Sequence, residues 1–467
     1  MTHADTQATI ADYLATCGAD PSTGREQPEY LGLSLRKRHE LLQRSPALAA
    51  EWAAQYAHWS VHADSHYRCL TSTRPAESPW YRLGVKDTVD VAGLPTRLGL
   101  RSYRHYPQRS AEALTFLDPR IALTCKVATT ELNIAFGAGC RNPHYPTIDP
   151  SGSSTGSAVS VAAGLCDISL GTDVLGSVRW PASHCGMVGL RMTQKATSLA
   201  GVFPLSPRMD ALGWVTRSAD DLDLLFPLLG LEPLLGQQQP LKDRYRVAVL
   251  EQALDPALTS PAMLDMLGQA RSALADLGMA TSEVAMPALW ACRGDAWQLC
   301  ARDAWLASAA WLASAAWARR FDCELHWSTL SALKVGEGVS DCDYRRIHQR
   351  MDSIRAGIDA WFDEAQVDFV VFPMDPNRPF DRRNPQPGDS TIPSPAEPGY
   401  EQKISFTPLA SFSGLPAITV PICLSADGKA PLAVQIMGRR DSERQLLDIA
   451  KRLQAVTGLL PARRLQA

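Results

Sequence analysis

Short runs of valine, isoleucine, leucine and phenylalanine alternate with alanine-rich stretches through most of this 467-residue chain. The clearest runs are residues 121–126 (IALTCK), 246–250 (RVAVL) and 367–373 (VDFVVFP). A strand that is apolar at successive positions is buried on both faces of its sheet, because neighbouring side chains point to opposite sides. Such strands alternating with helices predict an α/β fold around a largely buried sheet.

The first 75 residues differ from the rest in carrying no motif with catalytic chemistry. Strong helix formers dominate residues 47–62, and Ser45 followed by Pro46 suits an N-cap and a first-turn proline. We therefore expect a helical N-terminal segment, residues 1–75, packed on a main domain, residues 76–467. Residues 229–243, which include GQQQP, are the best candidate for a break, and we interpret them as a surface loop.

Eight prolines lie within residues 373–398. Proline has a fixed φ and no N–H group, so regular structure is not expected there. A loop of this length inside a domain is either a lid or binding element or a surface excursion, and the sequence leaves both open.

A tryptophan-bearing repeat, AWLASAAWLASAAW, occupies residues 304–317 and predicts a helix. A shift of six residues turns a helical side chain by about 120°, so Trp305, Trp311 and Trp317 cannot share one face. Such a helix is buried on most sides. One of these rings, or Trp297, either lines an apolar substrate pocket or packs in the core.

The overall charge of −3, from 46 basic and 49 acidic residues without long runs of either sign, argues against nucleic-acid and membrane partners. The chain starts without a signal-peptide pattern and contains no 18-residue apolar run, which predicts a cytoplasmic protein. Eleven cysteines without a CxxC pair predict reduced thiols in place of disulfides or a zinc site. Small-molecule chemistry is the expected function.

Two serine segments and one lysine form the candidate catalytic set. Residues 150–157 (PSGSSTGS) predict a small-residue loop that brings backbone close to a substrate, a weak signal by itself. Residues 171–181 (GTDVLGSVRWP) suit a tight turn whose N–H groups point to one spot, as stabilisation of an oxyanion requires. Upstream, Lys86 lies in GVKDTVD, and a lysine made neutral by burial can activate a serine hydroxyl.

Together these segments resemble the amidase signature family. Further similar blocks, in the family order, are residues 142–143 (NP), 185–191 (CGMVGLR), 201–207 (GVFPLSP) and 413–421 (SGLPAITVP). The resemblance extends from about residue 81 to residue 438. It implies a large, mixed, twisted central β-sheet covered on both faces by α-helices, an amide as the small-molecule substrate, and no metal or organic cofactor.

The resemblance also assigns roles within a Ser-Ser-Lys triad. Ser177 would be the nucleophile, Lys86 the base, and Ser153 the bridge between them, with Ser154 in support. In the family the bridging serine follows a cis peptide bond, which we expect here at Gly152–Ser153. The oxyanion would be held by the backbone N–H groups of Val174, Leu175, Gly176 and Ser177.

Asp173 and Arg179 match an acidic and a basic residue that flank the family nucleophile. We expect them to form an ion pair that holds the oxyanion turn. The alternative is that Arg179 meets a substrate carboxylate.

Four departures from the family pattern leave the amide unidentified. Leu175, Thr155 and Ser151 replace family glycines, and the segment between residues 131 and 142 is shorter than in many relatives. Leu175 and the tryptophan-bearing helix favour an apolar or aromatic acyl group.

Other functions remain open. Residues 152–156 satisfy G-x-S-x-G, which would make Ser154 the nucleophile of an α/β-hydrolase esterase with His184 as base. However, that motif must follow a strand, and residues 143–150 (PHYPTIDP) are too rich in proline for one. Acyl transfer to an amine, a glutamine-amidase subunit of an amidotransferase, and a non-catalytic relative are further alternatives. The sequence leaves a homodimer possible.

Overall fold

The computed structural model describes residues 26–76, 79–134, 138–279, 281–312, 325–379, 392–461 and 465, with the backbone alone for residues 309–312. Eleven strands in these ranges form one sheet. The strands are β1 (Leu70–Thr73), β2 (Tyr81–Lys86), β3 (Ile121–Val127), β4 (Ile168–Asp173), β5 (Val188–Arg191), β6 (Ala211–Thr216), β7 (Val247–Leu250), β8 (Thr281–Val284), β9 (Phe369–Pro373), β10 (Ala417–Leu424) and β11 (Pro431–Gly438).

The sheet is mixed, with the order β1-β3-β2-β4-β6-β5-β10-β11-β9-β7-β8. β2 is parallel to β3 and β4, and β7 is parallel to β8 and β9. The other neighbours are antiparallel. The carboxyl ends of β2 and β4 therefore meet at one edge, which places Lys86 beside Thr172 and Asp173.

Helices complete the fold. They are α1 (Leu35–Arg44), α2 (Leu48–Tyr67), α3 (Thr155–Ala162), α4 (Arg179–His184), α5 (Ala219–Leu225), α6 (Pro261–Asp276), α7 (Pro287–Trp290), α8 (Arg293–Leu312), α9 (Trp327–Gly338), α10 (Asp341–Glu364), α11 (Tyr400–Lys403), α12 (Pro408–Ser413) and α13 (Glu443–Thr457).

Both faces of the sheet are covered, as predicted. In β9, Phe369 and Val371 pack in a cluster with residues of α5, α6 and α13. The alternate residues Val370 and Phe372 pack on the opposite face with residues of α8, α9, α10 and α12. Each face buries its own apolar layer, which explains why the strand is apolar at every position.

The N-terminal segment is not helical throughout. Its last residues form β1, which pairs antiparallel with β3 at the edge of the sheet. The predicted N-cap also differs, because α2 begins at Leu48 and its N-cap residue is Ala47, which makes no side-chain capping bond. The Ser45 and Pro46 carbonyls instead accept backbone bonds from the first turn.

Residues 229–243 lie between two strands of the same sheet, β6 and β7. The loop is fixed against the start of α13, since Gly236 N donates to the Asp441 carboxylate at 3.2 Å and Gln445 Nε2 donates to Pro240 O. Because the strands before and after these residues belong to one sheet, residues 229–243 are a loop within the sheet domain. Among the helices of the described ranges, none has the length and apolar character needed to cross a bilayer.

Candidate active site

Lys86 is the last residue of β2, and its side chain is fully buried. Its Nζ donates to Ser153 Oγ at 2.7 Å and to Thr172 Oγ1 at 2.8 Å. Burial lowers the pKa of Lys86 to about 7, against smaller opposing effects of Asp210 and Asp173. Because its partners are neutral hydroxyls, the amine can lose its proton near neutral pH.

The adjacent carboxylate serves another lysine. Asp87 lies 3.1 Å from the Nζ of Lys126 and 3.7 Å from Arg97 Nη1. Within the described part of the chain, no carboxylate oxygen lies within 4 Å of Lys86 Nζ. Lys86 is therefore neither a surface lysine nor the partner of Asp87.

The serine loop carries Ser153 directly ahead of α3. The peptide bond Gly152–Ser153 is cis, as predicted. Ser153 Oγ accepts from Lys86 and lies 3.5 Å from Asn133 Oδ1, to which it can donate. Ser154 N donates to Ser177 O at 3.1 Å, which ties this loop to the turn that carries Ser177.

Ser177 is half-buried directly ahead of α4 and lines the same cavity as Ser153. No hydrogen bond joins the two hydroxyls among the residues that the structure describes. The three residues of the predicted triad thus lie near one another, with a hydrogen bond between Lys86 and Ser153 and none between Ser153 and Ser177.

One predicted oxyanion donor differs in the structure. Gly176 N donates to the Asp173 carboxylate at 2.9 Å, so this N–H group is already engaged. The N–H groups of Val174, Leu175 and Ser177 have no acceptor in the described ranges. These three remain as candidates for holding an oxyanion.

Asp173 and Arg179 form the predicted ion pair, and both are fully buried. Arg179 Nε and Nη2 donate to the two carboxylate oxygens at 3.0 and 2.9 Å. Arg191, which the sequence did not single out, also contacts the carboxylate at 3.2 Å. The two guanidinium groups and backbone N–H donors hold the pKa of Asp173 well below its usual range, against the effect of burial. Arg179 is therefore fully engaged in positioning the turn and is not available to a substrate carboxylate.

The turn needs glycine at position 176. Gly176 has φ +107°, and a Cβ there would lie 2.8 Å from Thr407 Cγ2. We expect Gly176→Ala to cost about 1–3 kcal/mol from backbone strain alone, to lower Tm, and to reduce kcat/KM.

Two further variants make this prediction specific. Gly139→Ala carries the positive φ without the steric contact, since nothing lies within 4 Å of that Cβ, and should change kcat/KM little. Adding Thr407→Ser to Gly176→Ala removes the nearest clashing atom, keeps the hydroxyl that donates to Leu175 O, and leaves the Cβ contact at 2.9 Å, so it should restore a small part of the loss. Equal effects of Gly139→Ala and Gly176→Ala would contradict the argument.

A pocket of about 580 Å³, including its open mouth, joins these groups. Ser153, Ser177 and Asn133 contribute polar side chains, whereas Leu175, Trp180 and Leu205 belong to an otherwise apolar wall. Ile392 comes from the proline-rich loop, so the described part of that loop reaches the cavity. A largely apolar lining with a few polar groups is typical of a small-molecule site.

The structure answers part of the question about the tryptophans. Trp297 lines the cavity and is also part of the core, with its ring centroid 6.3 Å from that of Trp180. Trp305 is partly buried against the same cluster. The side chain of Trp311 and all of Trp317 lie outside the described residues. Trp297 therefore both lines the pocket and packs in the core, the two roles that the sequence analysis gave as alternatives.

The esterase alternative has no supporting geometry. Ser154 is fully buried, and its Oγ donates to Thr172 O at 3.1 Å and accepts from Thr172 N at 3.3 Å. His184 instead contacts Asp149 O and Asp375 Oδ2, at 3.1 and 3.4 Å. The preceding residues form turns and no strand.

We expect Ser154→Ala and His184→Ala to keep at least part of the catalytic activity, since neither group reaches the predicted reacting atoms. Steady-state rates per folded enzyme would measure this. If either variant were folded and fully inactive, the assignment of Ser177 would be in doubt.

The chain is similar to several known proteins. A glutamyl-tRNA(Gln) amidotransferase subunit from Synechococcus sp. (strain RCC307) is 27% identical over 399 residues, which span 79% of this chain and 81% of the relative. A 2-amino-5-chloromuconic acid deaminase from Comamonas testosteroni is 28% identical over 395 residues, with 80% and 81% covered. A solved 6-aminohexanoate cyclic dimer hydrolase has the same fold, with a TM-score of 0.74 at 21% identity over 93% of this chain and 99% of that one.

A match to a family model defines the class of protein, an enzyme of the amidase type. A family model described as Amidase matches residues 82–447. The chain belongs to the amidase family.

Sequence reasoning missed three groups around the lysine. Thr172 lies within the second serine segment and could have been noted as a hydroxyl at the end of a parallel strand. Asn133 lies in the shortened segment, and its contact with Ser153 carried no sequence signal. Asp210 is buried behind Leu205 and Ser206, whose N–H groups donate to it at 3.0 and 3.1 Å.

Proposed function

We propose that this amidase hydrolyses a carboxamide bond of a small molecule through an acyl-enzyme formed on Ser177. The observation that carries the proposal is Lys86, a buried amine whose hydrogen bonds within the described ranges go to two hydroxyl groups and whose pKa is about 7. A substantial share of this amine is neutral at neutral pH, which lets it accept a proton.

In the proposed reaction, Ser153 passes the proton of Ser177 to Lys86 as Ser177 Oγ attacks the amide carbonyl. The C=O electron pair moves to oxygen, where N–H groups of Val174, Leu175 and Ser177 stabilise it. Such donors are worth about 3–4 kcal/mol each where they have been tested. The proton returns through Ser153 to the leaving nitrogen, the C–N bond breaks, and water then releases the acid from Ser177.

The Asp173 carboxylate supports this step by holding the turn in place. It accepts from Gly176 N and Val178 N while both arginines neutralise it. The N–H groups are thus oriented before the substrate arrives, and no reorganisation is needed during the reaction.

A glutamine-amidase subunit of an amidotransferase is the second candidate, because several relatives are named as amidotransferase subunits. Free glutamine presents an ammonium and a carboxylate, which require charged or strongly polar partners. None of the described residues that line the cavity is charged. This lining favours a neutral amide.

A panel of neutral primary and secondary amides, together with glutamine, tests the proposal through release of ammonia or amine. We expect turnover of neutral amides by the isolated chain. The amidotransferase function would be favoured if glutamine were the one amide turned over and if its turnover required a co-purified partner protein. A cytoplasmic location and a homodimer stay predictions.

A further inference from the structure

One face of α8 forms a wall of the catalytic cavity, and the size of its side chains decreases along the helix. Trp297, Cys300, Ala301 and Ala304 line the cavity and stand at i, i+3, i+4 and i+7, a spacing that places them on one side of a helix. Ala332 of α9 lines the cavity beside them. The wall therefore carries one large ring and then only small side chains over the next two turns.

The polar part of the lining is concentrated on the segments that carry the reacting groups. Ser153 and Ser177 belong to the proposed triad, and Asn133 contacts Ser153. The α8 and α9 side of the lining offers no hydroxyl, amide or charged side chain among its described residues, only indole, thiol and methyl groups. A substrate portion in this region is stabilised by removal of apolar surface from water.

We infer that this wall binds the acyl group of the substrate and that Ala304 and Ala332 set how long an apolar acyl group it accepts. The inference rests on the proposed acyl-enzyme mechanism. In that mechanism the amine leaves after the first step, whereas the acyl group stays bound to Ser177 until water attacks. A largely buried apolar wall is suited to the portion that stays. The substrate class is an amide of an uncharged aliphatic or arylalkyl acid.

The size of the effect follows from burial of methylene groups. Each methylene moved from water into an apolar site contributes about fourfold to kcat/KM. We therefore expect kcat/KM to rise along a series of straight-chain primary amides from acetamide to octanamide and then to level off where the chain meets the alanine wall.

Ala304→Leu tests this directly, because it adds three carbons to the wall. The ratio of kcat/KM for octanamide to that for acetamide should fall by roughly 50-fold. Ala332→Val, a smaller change on the other helix, should lower the same ratio by a few-fold. Ala307→Leu is the matched control, since it makes the same change on α8 at a half-buried residue outside the lining and should leave the ratio unchanged.

The experiments distinguish failure of the inference about the wall from failure of the proposed mechanism. Labelling of Ser177 by a fluorophosphonate probe reports the mechanism independently of chain length and counts the competent enzyme in each variant. A labelled wild type without chain-length dependence would overturn the inference, as would an equal loss for acetamide and octanamide in Ala304→Leu. Dependence on the length of the amine in N-alkylacetamides, and not of the acyl chain, would also overturn it. Failure to label Ser177 would instead contradict the proposed mechanism.

Discussion

Ser177→Ala is expected to reduce kcat by about a million-fold, as removal of a nucleophilic serine does in other hydrolases. The variant should still fold and bind amides, because the Ser177 side chain makes no hydrogen bond in the described ranges and Ser177 keeps part of its surface exposed. Ammonia release and loss of fluorophosphonate labelling measure the effect, with the folded fraction determined by thermal unfolding.

Ser154→Ala is a suitable comparison for this variant. It also removes a serine hydroxyl, one whose hydrogen bonds go to backbone groups of Thr172. A folded Ser177→Ala variant with turnover close to wild type would show that another group forms the acyl-enzyme or that none is formed.

Lys86→Met is expected to reduce kcat/KM by about 10²–10⁴, the range typical of a positioned general base. Methionine has similar length and apolar character, so the buried site stays filled. In the wild type, kcat/KM should rise as pH increases through about 7, because the amine must be neutral to accept the Ser177 proton and Lys86 has a pKa of about 7. A pH–rate profile measures this, and in Lys86→Met the limb near pH 7 should be absent.

Lys126→Met is the matched control for this variant. Lys126 is equally buried at the end of the neighbouring strand β3 but pairs with Asp87, so its loss should destabilise the fold without moving the limb of the pH profile. Undiminished turnover in Lys86→Met would show that the proposed proton relay is wrong.

Asp210 gives a finer check on the same limb. Burial raises the pKa of Asp210 to about 7, so its carboxyl group ionises over the same pH range as Lys86, and in its ionised form it raises the pKa of Lys86 against the larger effect of burial. Asp210→Asn keeps an oxygen for the Leu205 and Ser206 N–H groups but removes the charge. The neutral amine then forms at lower pH, and the limb should shift to the acid side. A shift to the alkaline side would contradict this electrostatic coupling.

The sequence predicted those parts of the site that are local to a motif. The cis bond before Ser153, the pairing of Asp173 with Arg179 and the convergence of two loops near Lys86 were implied by the family resemblance, which rests on short segments of the chain. The fold class was equally accessible, because strands buried on both faces leave continuous apolar runs.

What the sequence missed depends on contacts between distant segments. Arg191 reaches Asp173 from the end of β5, and Gln435 of β11 accepts from Arg179 Nη1 at 2.8 Å, so neither could be assigned from spacing. The Gly176 N–H group was predicted to hold the oxyanion, but it donates to the carboxylate of Asp173, three residues earlier. β1 was missed because four residues after a long helix are too few to show a period of two.

The buried amine of Lys86 has a consequence for the stability of the folded state. In the unfolded chain this lysine titrates near its ordinary pKa of 10.5, whereas in the folded protein its pKa is about 7. Between these values the unfolded chain binds the extra proton, so the free energy of unfolding rises with pH, and the whole interval corresponds to about 5 kcal/mol. Acidification from about pH 10.5 to 7 therefore lowers the stability while the base is still largely neutral, and only further acidification, through about pH 7, protonates the base itself.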